Sequence, residues 1–168
     1  VVAEEAAKLG VSRVGFEPAM SYSAWESWVA AAPSIEWVPA KDLIEPLRMI
    51  KTPDEIEKIR KACDLADACM QHAFRMIQPG VREYDLGLDI EFFFRKQGAE
   101  IAFAPIVVSG PNSAKPHGRP GERTFEKGDF VTIDIGARLD GYCSDITRTV
   151  VVGEASDKHK LVYQAVLE

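Results

Sequence analysis

The stretch KTPDEIEKIRKACDLADACMQHAFRMIQPG, residues 51–80, constrains the fold more than any other part of the chain. Thr52, with Glu55 three residues later, reads as a capping box. Pro53 takes the first helical position, where its missing N–H costs nothing, and Pro79-Gly80 ends the run. Between these signals Ile56, Ile59, Ala62, Cys63, Ala66, Met70, Ala73, Phe74 and Ile77 recur at steps of three and four. That periodicity predicts one apolar stripe along about seven helical turns, and such a stripe has to be buried against a second layer.

A second helix is predicted from about Glu83 to Gln97, with Leu86, Ile90, Phe93 and Phe94 on one side and Gly98 as its stop. Strands follow at IAFAPIVVSG, DFVTIDIGA and YCSDITRTVVVG, then a closing helix that Ser156 can cap. Helices first and strands afterwards fit an α+β domain better than a parallel βαβ series. Residues 1–50 differ: short helix and strand signals alternate, as in a small α/β unit. Fifty residues are too few for a convincing core. This part is therefore expected to be the C-terminal part of an α/β domain, with a second domain over 51–168.

Composition narrows the function. The 168 residues are 46% hydrophobic and 27% charged with a net charge of −6, an ordinary globular balance. With no dense Lys/Arg cluster, nucleic acid and membrane surfaces are poor partners, whereas small neutral or cationic ligands remain open. Cys63, Cys69 and Cys143 have no CxxC spacing, and the first two fall on different helix faces, which suits reduced thiols in a cytoplasmic protein. No apolar run approaches the roughly 18 residues of a membrane span. The opening VVAEEAAKLG has acids where a signal peptide has bases, so no export signal is read there.

The chemistry concentrates in TIDIGARLDGYCSDITRT, residues 132–149. Asp140-Gly141 between the two predicted strands is a hairpin signal. With an even loop, partners across the hairpin have numbers of opposite parity, as 134 and 145 do. Asp134 and Asp145 then share a face within roughly 4.5 to 8 Å of each other. They are directly opposite if the turn centres between Leu139 and Asp140, and diagonal if it centres on Asp140-Gly141. Thr132, Gly136, Thr147 and Thr149 share that face, while Val131, Ile133, Ile135, Ile146 and Val150 share the other. A hairpin with its polar side in water accounts for the alternation. It does not account for two like charges facing each other on strands that Asp disfavours. A bound cation removes that penalty, and hard oxygen ligands suit Mn²⁺, Co²⁺ or Zn²⁺ in a hydrolytic site. Two aspartates are too few ligands, so others must come from elsewhere.

Upstream, VVSGPNSAKPHGRPGER lies between two strands and carries His117, 17 residues before Asp134. A loop His beside a metal could hold a substrate carbonyl or stabilise a tetrahedral intermediate, although such a residue also occurs simply as surface. His72, beside the helical stripe, reads as structural, and His159 as an exposed helix residue.

SGPNSAKPH followed by GDFVTIDIGARLDGYCSDITRT resembles the pita-bread metallopeptidases, in particular Xaa-Pro aminopeptidases and Xaa-Pro dipeptidases, and RMIKTPDEIEKIRKA is similar to their domain junction. The likeness runs from about residue 35 to 168, more weakly before. It implies the first half of a pita-bread catalytic domain and hydrolysis of the bond before proline at two divalent metal ions, Mn²⁺ foremost and Co²⁺ or Zn²⁺ as alternatives. It also implies a peptide substrate with proline second and a homodimeric full-length protein. Asp134 would chelate one ion, Asp145 would bridge both, and His117 would contact substrate. In the family one further His and two Glu on later strands complete the site. The chain stops before them, and is expected to be a fragment, inactive alone, of an active parent. Creatinase shares the fold without metal, but both aspartates are retained here. Methionine aminopeptidase shares the hairpin but not the two-domain layout or SGPNSAKPH. A catalytically dead binding domain is the remaining alternative.

Overall fold

The computed structural model describes residues 2–167. The chain divides into two compact units, Val1–Lys51 and Thr52–Glu168.

The first unit contains α1 (Val2–Lys8), β1 (Arg13–Phe16), α2 (Tyr22–Ala31), β2 (Glu36–Pro39) and α3 (Glu45–Met49). β1 and β2 pair in parallel, with α2 as the crossover. Ser21 starts α2 by accepting the Ala24 N–H at 3.3 Å. A small core of Ala6, Ala32 and Ile35 holds the unit, with Val14 and Trp37 packed against it.

The second unit opens with α4 (Pro53–Met76) and α5 (Glu83–Lys96). The capping box of α4 is complete: Thr52 Oγ1 accepts from the Glu55 N–H at 3.3 Å, and Glu55 Oε2 accepts from the Thr52 N–H at 2.7 Å. Ala62, Ala66, Cys69, Met70 and Ala73 are the buried positions of α4, so the predicted stripe holds over the later turns. Ile56 and Cys63, expected on it, are exposed; burial starts only at the second or third turn. Burial and the Asp89 charge push the Cys69 thiol up to about 12, so it behaves as a small apolar group. His72 pairs with Asp89 and stacks on Phe93, a structural role.

Six strands and a closing helix complete the second unit: β3 (Glu100–Ile101), β4 (Ile106–Ser109), β5 (Phe130–Ile135), β6 (Ala137–Leu139), β7 (Tyr142–Cys143), β8 (Ile146–Val151) and α6 (Asp157–Leu167). They form two antiparallel three-stranded sheets, ordered β3-β6-β7 and β4-β5-β8. The predicted strand IAFAPIVVSG is therefore two short ones in different sheets, separated by Ala102–Pro105. DFVTIDIGA and YCSDITRTVVVG are likewise broken, at Gly136 and at Ser144-Asp145, where the hairpin passes from one sheet to the other.

The core lies between the helices and the sheets. Met70 and Ala73 from α4, Leu86, Ile90 and Phe94 from α5, Val107 from β4 and Val131, Ile133 and Ile135 from β5 are all buried. Burying each large side chain contributes about 1.5–3 kcal/mol, so the core face of β5 fixes which residues point the other way. Among the described residues no helix is long and apolar enough to cross a membrane.

Candidate metal centre

The face of β5 opposite the core carries Thr132 and Asp134, each half-buried, between buried Val131, Ile133 and Ile135. Asp134 pairs in register with Thr147 of β8 on one side and Ile106 of β4 on the other. Across β8, Thr132 pairs with Thr149, and their hydroxyls meet at 3.0 Å. The Thr147 hydroxyl donates to Asp134 Oδ1 at 2.9 Å, which orients the carboxylate.

The hairpin turn settles the register. Leu139 pairs with Tyr142, and Asp140 and Gly141 have φ of 51° and 83°, the two positive values of a type I′ turn. Of the two turn centres open in the sequence, Asp140-Gly141 is the one adopted, so Asp134 and Asp145 are diagonal rather than directly opposite. Asp145 itself lies outside the strands, between β7 and β8, a correction to the reading that both aspartates sit within strands. The change comes from Ser144. Its N–H donates to the Ala137 carbonyl at 2.9 Å, but its Oγ, not its carbonyl, accepts the Ala137 N–H at 3.0 Å. The ladder is interrupted there, and Asp145 follows directly.

The two carboxyls nonetheless meet. Asp145 is held above the usual carboxylate range by loss of hydration first, then by the charge of Asp134 and a hydrogen bond to it. Because Asp145 as a whole is exposed, the loss of hydration is partial, and the neighbouring carboxylate is the specific cause. Among the described residues no group of three or more His, Cys, Asp and Glu stands ready to hold an ion. Among the described residues two carboxylates, hard oxygen donors, come together and no third joins them.

His117 lies in a turn after the short 3₁₀ segment Gly110–Ala114, exposed and with no hydrogen-bond partner among the described residues. Its segment folds over the aspartate face. A Cβ on neighbouring Gly118 would stand 2.6 Å from Val108 Cγ1, and Val108, paired with Thr132, projects on that face. Beside this segment a cavity of about 700 Å³ extends over Thr132, Thr147 and Thr149, bordered by Ser113 and by Tyr163 of α6. His159, read as exposed, is half-buried: its ring meets Phe130 edge-on at 4.9 Å. Its Nδ1 also accepts the Ser156 N–H at 3.1 Å while Ser156 Oγ accepts the His159 N–H at 3.3 Å, so Ser156 caps α6 reciprocally.

The profile of metallopeptidase family M24 matches residues 57–168. The chain belongs to this family. It is 42% identical over 156 residues to the Xaa-Pro dipeptidase of Pyrococcus furiosus, covering 92% of this chain and 45% of that protein. Its structure is similar to that of the Xaa-Pro dipeptidase from Bacillus anthracis, with a TM-score of 0.92 at 47% identity, covering 99% of this chain and 47% of the other. It is also similar to the X-Pro aminopeptidase from Thermotoga maritima, with a TM-score of 0.90 at 34% identity over 99% of this chain and 47% of the other. The mixed α+β chain thus has the pita-bread fold of these peptidases over about half their length.

Within this M24 chain, sequence reasoning missed Glu83, Ser144 and Gly136 as shapers of the site. Glu83, the first residue of α5, is completely buried. Its Oε1 accepts the N–H and the hydroxyl of Ser109, both at 2.7 Å, and its Oε2 accepts the Gly121 N–H at 3.1 Å. An acid in a first helical turn ordinarily reads as a helix-dipole partner, and nothing local marks this one as buried.

Proposed function

We propose that the full-length protein is a metal-dependent Xaa-Pro dipeptidase, hydrolysing the peptide bond before proline, and that this chain supplies Asp134 and Asp145 as metal ligands and His117 as a catalytic residue. The observation that carries the reading is the convergence of the two aspartates on an open sheet face in a chain of family M24. Dipeptidase is favoured over aminopeptidase because Xaa-Pro dipeptidases stand at 42% and 47% identity, above the X-Pro aminopeptidase at 34%, although other dipeptidases and prolidases lie between 30% and 39%. The chain spans under half the length of these relatives, so the remaining ligands belong to the rest of the protein. Residues 1–50, with their parallel β1-α2-β2 arrangement, are assigned to the end of an N-terminal α/β domain.

The donor set fits divalent ions. Two carboxylates that repel each other when empty offer hard, negatively charged oxygens on adjoining backbone, which suits Mn²⁺, with Co²⁺ and Zn²⁺ as alternatives. Two such ions would supply Lewis acidity toward the scissile carbonyl and toward water. The chain's own residues do the rest. Asp134 is oriented by Thr147, as ligands generally are by their outer partners. Asp145, set apart from the strand by Ser144, would hold the ions together with Asp134. His117, on the segment over the same face, holds the substrate carbonyl by donating a ring N–H, which strengthens as charge develops on that oxygen.

The test is to assay the full-length protein, stripped and then resupplied with each metal, against Xaa-Pro dipeptides and against longer peptides with proline second. Metal-dependent release of proline from dipeptides supports the reading. Absence of metal-dependent cleavage of either class overturns it.

A further inference from the structure

We propose that Glu83 is a positioning residue of this peptidase, and that its buried carboxylate, by clamping both ends of the segment between Ser109 and Gly121, sets where His117 stands over the aspartate face. The proposal rests on the functional reading above for the role of His117 and on geometry for the clamp.

Glu83 is a buried carboxylate that touches none of the reacting groups. Placing a carboxylate in a core is costly unless its oxygens are fully engaged. Here they are. Oε1 takes the Ser109 N–H and Oγ–H at 2.7 Å each, with Asn112 Nδ2 further off at 3.5 Å, and Oε2 takes the Gly121 N–H at 3.1 Å. Ser109 is the last residue of β4 and Gly121 lies beyond the His117 turn, so one side chain spans the two stems of the loop. The backbone of α5 adds to the grip: the Glu83 N–H donates to the Arg123 carbonyl at 2.9 Å and the Tyr84 N–H to the Gly121 carbonyl at 3.0 Å. Between the stems, Gly118 packs on Val108 and Pro120 on Gly87, while the backbone hydrogen bonds of the tip among the described residues stay within the loop, as in the Lys115 N–H to the Asn112 carbonyl at 2.9 Å. Gly118 donates to the Lys115 carbonyl at 3.1 Å, and His117 itself is exposed.

Chemistry makes the charge matter as well as the shape. Three close donors converge on Glu83 from two strands of chain, and an acceptor-only group is what they require. A glutamine of equal size presents an NH₂ where one of these donors points, so one stem is released while the volume is unchanged. Since His117 is attached to the core through these stems, it moves when either is freed. Displacement of about 1 Å at a group acting on substrate costs roughly 10²-fold in rate.

The experiment uses the full-length protein and the variants Glu83→Gln, His117→Ala and their combination, with Ser109→Ala as a milder cut through the same clamp. Metal content, kcat and KM for an Xaa-Pro dipeptide are measured together with NMR of the His117 ring. The expected result is a kcat lower by roughly 10- to 100-fold in Glu83→Gln, with metal content retained, a smaller loss in Ser109→Ala, and no further loss when Glu83→Gln is added to His117→Ala. A residue that served stability alone would lower both backgrounds equally, so additive losses overturn the proposal. The His117 ring signal should shift or broaden in both clamp variants while that of His72 stays fixed. An unchanged His117 signal overturns the proposal even if the protein proves inactive on Xaa-Pro peptides, an outcome that would separately remove the functional reading. If Glu83→Gln does not fold, Ser109→Ala alone decides by the same criteria.

Discussion

The backbone N–H of Ala137 donates to the hydroxyl of Ser144 at 3.0 Å, at a step where a regular antiparallel pair would use the Ser144 carbonyl. The carbonyl is turned instead toward Gly136, where a Cβ would stand 2.2 Å from it, 2.8 Å from the Phe103 ring and 3.0 Å from Ala102 Cβ. Gly136 and Ser144 thus form a matched pair: one leaves room for the carbonyl that the other displaces, and Asp145 is the next residue along.

The first prediction follows from that pair. Gly136→Ala forces the Ser144 carbonyl back toward the ladder or pushes β6 away from Ala102, and overpacking of this kind costs about 1–3 kcal/mol. Because the strain falls beside Asp145, metal binding should weaken along with stability. Thermal unfolding and metal content of the full-length variant check this. An unaltered midpoint with full metal occupancy would remove Gly136 from the account of how Asp145 is aimed.

A second prediction concerns pH. The Asp145 carboxyl lies above its ordinary range in the folded chain, so the folded state holds its proton where the unfolded chain has released it. The stability this contributes is fully present below the unfolded carboxylate value near pH 4, about 3.9, and is lost as pH rises through the folded value. With chelator present, the urea midpoint of Asp145→Asn should therefore exceed that of the parent above about pH 6, and the gap should narrow toward pH 4. Asp145 is exposed, so solvent screening keeps the gap at about 0.5 kcal/mol. Equal midpoints across the range would mean that the two carboxylates do not burden each other.

Much of this arrangement could be read before folding, wherever the cause is local. The Thr52–Glu55 box, the Ser156 cap and the Asp140-Gly141 turn each depend on residues within three positions, and parity alone put Asp134 and Asp145 on one face. What escaped was set by distant neighbours. The strands break at Gly136 and Ser144, where Phe103 and Ala102, from another part of the chain, leave no room for a Cβ on residue 136. Glu83 is buried by Ser109 and Gly121, 26 and 38 residues away, and His159 is half-covered by Phe130. The α4 stripe overran at Ile56 for a related reason, since periodicity marks the apolar side of a helix but not how far a partner layer extends.

A third prediction is that the 168-residue chain alone binds Mn²⁺ weakly. Affinity grows with ligand number and preorganisation, and among the described residues only two carboxylates converge. Calorimetric titration should give a dissociation constant well above micromolar, with the full-length protein far tighter. Sub-micromolar binding by the short chain would show that its ligands have been misplaced.

The fourth prediction separates the roles of Asp145 and His117 in the full-length protein. Asp145→Asn keeps the shape but replaces a negative donor to both proposed ions with a neutral amide, so the ions lose charge compensation and the site should empty. Hydrolysis of Xaa-Pro peptides should then disappear. His117→Ala removes a group that acts on substrate rather than on metal, so the ions should stay while turnover falls by roughly 10²- to 10⁴-fold. The two effects part because Asp145 lies against Asp134, whereas His117 sits exposed on a separate loop with no hydrogen bond to either aspartate among the described residues. Metal analysis and turnover measured side by side distinguish them: near-normal activity in Asp145→Asn, or loss of metal in His117→Ala, would reverse the assignment.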